Sequence, residues 1–172
     1  NGYVYSTASG FQLITDIDFG PLAHTVDYLD GFFLWDRAGT DQVFRSDLLD
    51  GTAYDGTAFA TAESASDNLN AVKAHKQLVY LLGERTIEPW QNVGQANFPF
   101  QRISGGTLSR GTIGPYAITS EDETLFLIGN DRIAYKLAGT QLGRISTHAI
   151  EQAWQAYATV SDAIAFACTW KG

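Results

Sequence analysis

Two aspartates one residue apart, Asp16 and Asp18 in the stretch DIDFG, are where the chain comes nearest to a cation-binding loop. Carboxylates at that spacing fall on one side of an extended chain and could both reach a hard cation. An EF-hand adds a third oxygen ligand and a bidentate Glu at its twelfth position, and neither follows here. The stretch reads as a polar face beside a turn. No paired-Cys, H-x-x-H or H-E-x-x-H spacing points to zinc. His24, His75 and His148 fall in three unrelated segments.

Glycosidic hydrolysis would need two carboxylates facing each other across a cleft. The chain has 19 acidic residues, so chance pairs abound. The run Glu121-Asp122-Glu123 reads as a solvated turn tip. Glu63 and Glu88 sit in more apolar surroundings, where a hydrogen bond or ion pair explains them, with Arg85 the nearby partner for Glu88. A Ser or Cys nucleophile needs a base within hydrogen-bond reach, and no G-x-S-x-G elbow appears. Gly105-Gly106, Gly111 and Gly114 lack the strand-then-helix setting of a phosphate loop and read as turn residues. No catalytic residue, metal or cofactor is assigned, and the expectation is a protein that is not an enzyme.

Large apolar groups in connecting segments are the remaining candidates. Pro89-Trp90 and Asn97-Phe98-Pro99-Phe100 fall between strands. Such groups dock onto a neighbouring protein surface or staple a loop to a sheet edge. Trp90, Phe98 and Phe100 are therefore the candidate protein-interface residues, with the stapling alternative open.

The elements that would position these residues are mostly strands. Aromatic residues make up 13% of the chain and glycines number 17, a composition that favours strands and tight turns over helix. Tyr3 to Ser6 and Phe11 to Thr15 flank a Thr-Ala-Ser-Gly turn and predict a hairpin. The stretches VDYLDGFFLWD, AVKAHKQLVYLLG and AITSEDETLFLIG each join a short strand, a polar turn and a strongly apolar strand. Their turns centre near Asp30, Lys76 and Glu123, at intervals of 46 and 47 residues, and a third strand follows each. A period in the forties with three or four strands per unit is the signature of propeller blades. The middle strand of a stacked sheet is covered on both faces and should be continuously apolar; FFLW, LVYLL and LFLI are.

The stretch from Asp50 to Asn68 reads as a polar excursion with one helical turn around Ala58 to Glu63. Ile150, Trp154 and Tyr157 form an i, i+4, i+7 stripe that predicts an amphipathic helix near residues 147–158, with Ser146 or Thr147 as its cap. The fold class expected is mainly β, a partial β-propeller of about three to four blades with one helix; three hairpins in a sandwich are the alternative. Blade-like units are expected near residues 22–46, 70–91 and 116–137, with a last strand at 163–170. The chain has no Met, opens into one strand and ends just after another, so residues 1–172 are read as a single propeller-like fragment of a longer protein.

The net charge is −8 and the sequence pI about 4.6, with eleven basic residues scattered singly. Phosphate-backbone binding takes clustered Lys and Arg, so direct or sequence-specific nucleic-acid binding is not expected. Cys168 is the single cysteine, which rules out an internal disulfide and fits a small buried hydrophobe. No apolar run reaches the roughly 20 residues of a membrane span.

The segments DGFFLWDRAGTDQVFRSDLLD (Asp30 to Asp50), AESASDNLNAVKAHKQLVYLLGERTIEPWQNVG (Ala62 to Gly94), FPFQRI (Phe98 to Ile103) and RISTHAIEQAWQAY (Arg144 to Tyr157) carry a resemblance. In order and spacing they resemble the packaged-DNA stabilisation proteins of short-tailed phages, which are tail accessory factors. The resemblance covers roughly residues 27 to 170. It implies a propeller-like fold and a non-enzymatic place in the virion tail, reached after synthesis in the bacterial host cytoplasm. It further implies closure of the portal channel after DNA packaging, contacts with the portal, its adaptor and distal tail proteins, and a ring of copies on the tail. A propeller domain that binds or cleaves surface glycans is the runner-up, since one fold hosts unrelated functions.

Overall fold

In the computed structural model, residues 1–172 are described except for 63, 66, 169, 171 and 172. The chain opens with an antiparallel hairpin of β1 (Tyr3–Ser6) and β2 (Gly10–Leu13). Three four-stranded sheets follow, each a simple antiparallel meander. The first is β3 (Ala23–Leu29), β4 (Phe32–Arg37), β5 (Gln42–Asp47) and β6 (Asp50–Thr61). The second is β7 (Leu69–His75), β8 (Leu78–Gly83), β9 (Ile87–Asn92) and β10 (Phe100–Arg102). The third is β11 (Ile118–Glu121), β12 (Thr124–Ile128), β13 (Ala134–Ala138) and β14 (Gln141–Arg144). Helix α1 (His148–Gln155) comes last.

The repeat is set by backbone conformation. Asp30, Lys76 and Asp122 all have positive φ, at 51°, 57° and 51°, and each makes the turn between the first two strands of its sheet. They follow one another at even intervals of 46 residues, so the third turn centres one residue earlier than Glu123.

Alternation along β8 then stacks the sheets. Val79 and Leu81 point to the first sheet and share a core with Leu34, Val43 and Val72. Tyr80 and Leu82 point to the third sheet and meet Leu125, Leu127, Tyr135 and Leu137. A third cluster of Phe44, Tyr54 and Ile14, flanked by Phe19 and Trp35, covers the other face of the first sheet. The fold is thus a row of stacked four-stranded blades, a partial β-propeller.

Three expectations need correction. The polar excursion after Asp50 is a strand, β6, the outermost in its sheet. An edge strand with one wet face does not need a continuous apolar pattern. The helix runs from His148 to Gln155, and its N-cap Thr147 makes no side-chain capping bond. The strand expected at 163–170 has no ladder: residues 163–168 run as irregular chain.

Candidate interaction surfaces

Trp90 lies within β9 and Phe100 opens β10, with Phe98 in the loop between the two strands. All three turn inward, with exposures of 7%, 2% and 8%. Their rings meet edge to face, Trp90 with Phe98 at 6.2 Å and Phe98 with Phe100 at 6.0 Å. Phe32 of the first sheet meets Phe100 at 6.2 Å. The loop is drawn down because Arg45 Nε donates to Asn97 O at 2.9 Å while its guanidinium lies over Phe32. Asn97 Nδ2 in turn donates to Thr57 O at 2.9 Å. These aromatics form the seam between the first two sheets, where a ring buries most of its surface and gains about 1 kcal/mol more from edge-to-face contact. An outward docking role for them is corrected to a stapling one.

A polar clamp runs along the same seam. Thr25 Oγ1 accepts from Val72 N at 2.9 Å, and Asp27 Oδ2 accepts from Ala74 N at 2.9 Å. Residues two apart on β3 thus satisfy N–H groups two apart on β7, an edge strand that would otherwise present them bare. Asp36, fully buried, holds Thr25 by accepting from its N at 2.6 Å and its Oγ1 at 2.5 Å. His24 Nδ1 lies 3.2 Å from the other oxygen. Lys73 Nζ reaches Asp27 at 2.8 Å.

The residues whose types suggested chemistry are occupied structurally. Asp16 Oδ1 accepts from Asp18 N at 2.8 Å and Oδ2 from Tyr54 N at 3.0 Å, which makes the pair a turn that ties the opening segment to β6. Glu88 is buried, and its partners are Trp90 Nε1 at 3.0 Å, Ser64 N at 2.7 Å and Ser64 Oγ, in place of the Arg85 ion pair. Arg85 instead donates its backbone N to Asp67 at 2.6 Å. Glu63 lies outside the described residues. His24, His75 and His148 stay in separate places, the last beside Arg144. Among the described residues no group of three or more His, Cys, Asp or Glu is placed to hold a metal ion. A cavity of about 270 Å³ gathers Asp41, Asp67 and Glu84. Asp67 there is committed to the backbone N–H groups of Arg85 and Thr86.

Apolar surface is left open at both ends of the row. On β3, Val26 and Tyr28 are 45% and 46% exposed on the face away from the second sheet. On the opening hairpin, the register pairs Tyr3 with Leu13 and Tyr5 with Phe11 on one face, and all four are exposed. Tyr3 and Phe11 stack at 5.1 Å. After the helix, Ile164 and Phe166 are exposed in turn while Ala163, Ala165 and Ala167 are partly covered. Cys168, expected buried, is exposed too. The alternation in TVDYL and in AIAFAC is the sequence signal that could have marked these faces.

The helix is pinned at both ends. Glu151 accepts from Arg144 Nε at 2.7 Å and from Ser146 Oγ at 2.6 Å, bonds that hold its carboxyl below the usual range, Arg144 first. Arg132, at the turn before β13, donates to Trp154 O and Gln155 O at 2.8 Å and to Tyr157 O at 3.0 Å. A guanidinium there satisfies carbonyls left free at a helix C-terminus and complements its partial negative charge. Between this helix end and the third sheet lies a cavity of about 360 Å³ lined by Ile128, Trp154, Tyr157 and Ile164 among others. No helix among the described residues is long and apolar enough to cross a membrane.

A family model described as "Bacteriophage P22 Gp10, beta-propeller" matches residues 1–170. No curated protein matches the chain.

Proposed function

The chain belongs to the Bacteriophage P22 Gp10 β-propeller family, and from that premise we propose that it is a non-enzymatic tail accessory part that closes the portal channel after DNA packaging. A phage structural role in stabilising packaged DNA follows from the family itself. The finer reading places it between the portal with its adaptor and the distal tail proteins, in a ring of copies in the virion. The observation that carries this reading is the match across residues 1–170, which takes in all three stacked sheets.

Retention of DNA by such a plug rests on protein contacts. The net charge of −8 gives no footing on phosphates, and an acidic wall lets DNA pass without sticking. Exposed apolar faces at both ends of the row supply the surface for neighbours.

The test is binding of the purified chain to portal–adaptor assemblies, followed by nuclease protection of DNA in filled heads that lack their own stabilisation protein. Expected are co-sedimentation with the assemblies and a gain in protected DNA. Co-sedimentation with naked DNA and not with the assemblies would overturn the proposal.

A further inference from the structure

The stretch WQAYATVSD (Trp154 to Asp162) brings aromatic rings, hydroxyls and a carboxylate together where α1 ends. Between this stretch and the third sheet lies the cavity of about 360 Å³, a volume inside the range of about 300–1,000 Å³ typical of small-molecule sites. Ile113, Ile128 and Val160 give it an apolar part. Arg132, Trp154, Tyr157, Thr159 and Asp162 line the rest.

The polar tips of that second group are not spent on the chain. Arg132 uses only Nη1, on the carbonyls of Trp154, Gln155 and Tyr157, and a guanidinium has further donors at Nε and Nη2. Trp154 Nε1, Tyr157 Oη, Thr159 Oγ1 and the Asp162 carboxylate have no hydrogen-bond or ion-pair partner among the described residues. The walls, by contrast, are tied down. Gly114 packs so closely on Ser161 that a Cβ there would fall 2.3 Å from Ser161 O. Ala163 N donates to Val160 O at 3.2 Å, and Ala165 N to Tyr116 O at 2.8 Å. These contacts fix one wall as Arg132 fixes the helix end, so a ligand would find the cavity already formed and lose little affinity to ordering it.

The lining selects the ligand by its chemistry. Arg132 and Asp162 carry opposite charges, so an anion meets Asp162 and a cation meets Arg132. A wholly apolar ligand would strip water from both groups and replace none of their hydrogen bonds. A hydroxyl both donates and accepts, and can therefore serve a carboxylate and a guanidinium side by side. Trp154 and Tyr157 add apolar ring faces that end in polar tips. A pyranose has the matching form, with an apolar C–H face and a rim of hydroxyls. We propose that this cavity is a binding site for a neutral saccharide. A free amino acid is the other ligand able to answer both charges, and the experiment separates the two.

Saturation-transfer NMR on the 172-residue chain tests this, with maltose, cellobiose and lactose offered in turn and phenylalanine as the zwitterion. Expected is saturable transfer to the ring protons of at least one disaccharide and none to phenylalanine. Asp162→Ala and Tyr157→Ala should each weaken that binding about tenfold or more, the loss for a hydrogen bond to a charged group setting the scale for the first. Both residues are exposed, so neither change should unfold the chain. Ile17→Ala, on a distant exposed loop, should leave binding unchanged. Absence of transfer to all three disaccharides overturns the proposal, as does transfer to phenylalanine equal to that of any of them. Binding that Asp162→Ala and Tyr157→Ala leave intact overturns it too. The portal–adaptor assay needs no saccharide, so failure here leaves that reading standing.

Discussion

The second and third sheets carry the same kind of apolar middle strand and differ in what lies on either side of it. On β8, Val79 through Gly83 are all buried, because the first sheet covers one face and the third covers the other. On β12, only Leu125 and Leu127, which face the second sheet, are buried; Thr124, Phe126 and Ile128 are partly open. A continuous apolar run therefore states what the strand is built to bury, and the structure shows how much of that demand is met. Each fully buried Leu is worth about 1.5–3 kcal/mol over its exposed state, so the two strands differ greatly in what they contribute.

The largest expected effect tests that difference directly. Leu81→Ala, which empties space between the first two sheets, should lower unfolding stability by about 3 kcal/mol, since the neighbours relax only partly into the cavity. Phe126→Ala should cost roughly half as much, because its ring is already partly open to solvent. Urea unfolding of the two variants measures both. Equal losses would mean that the outer face of the third sheet is covered as fully as β8.

The two seams beside the second sheet differ as well. The first is clamped by Thr25 and Asp27 onto backbone N–H groups of β7. At the same step of the repeat the second sheet has Ala71 and Lys73, and the next seam is made by apolar contact together with a Tyr80 hydroxyl that donates to Gly139 O at 3.2 Å and a Lys76–Glu123 ion pair at 3.4 Å. Thr25→Val keeps the shape and removes the hydroxyl that links Asp36 to Val72. With Val72 N left unmatched and one Asp36 bond gone, the expected loss is about 2 kcal/mol. Hydrogen exchange should speed at Val72 and not at β12. Unchanged exchange at Val72 would show that water replaces the hydroxyl.

What the sequence made legible follows the same divide. The repeat near 46 residues and the three apolar middle strands were readable because two-sided burial forces composition. Edge strand β6 was not, since Asp50 and Asp55 bond to Thr52 and Thr57 within it and mimic turn chemistry. Trp90, Phe98 and Phe100 read as loop aromatics, yet Trp90 lies within β9 and Phe100 opens β10, and the loop that turns Phe98 inward is held by Arg45, more than 50 residues away in the chain. The segment 163–168 has strand alternation, yet it joins no sheet and runs as irregular chain.

A smaller effect should separate the covered half of the first sheet from its bare half. Tyr54, in the half under the hairpin, has its hydroxyl pushed up to about 12 by burial, with Asp16 and Asp50 adding to the rise and the Trp35 hydrogen bond opposing it. A raised folded value means that its stabilisation is intact below the ordinary value of about 10 and is lost as pH climbs from there to about 12. Alkaline melting should therefore show a drop in that window which Tyr54→Phe reduces, the remainder coming from Tyr80 and Tyr135, whose hydroxyls burial also pushes up. Tyr28, in the bare half, has no such cover, and a drop that Tyr54→Phe leaves unchanged would mean that the hairpin does not seal Tyr54.

The smallest effect concerns the helix at the far end of the row. Bonds from Arg144 and Ser146 favour the ionised form of Glu151 and lower its folded value. A lowered value contributes stability that is present above the unfolded carboxylate range and disappears as pH falls through the folded value. Acid should therefore loosen the N-terminal turn of α1 from β14 before it disturbs the apolar seams. The three carbonyl bonds of Arg132 hold the other end, so the change should be local. Trp154 fluorescence would report it, and Glu151→Gln should abolish the acid step while leaving the helix less firmly held at neutral pH. If the variant keeps the same acid step, the group responsible lies elsewhere, and the helix is held by its apolar stripe and Arg132 alone.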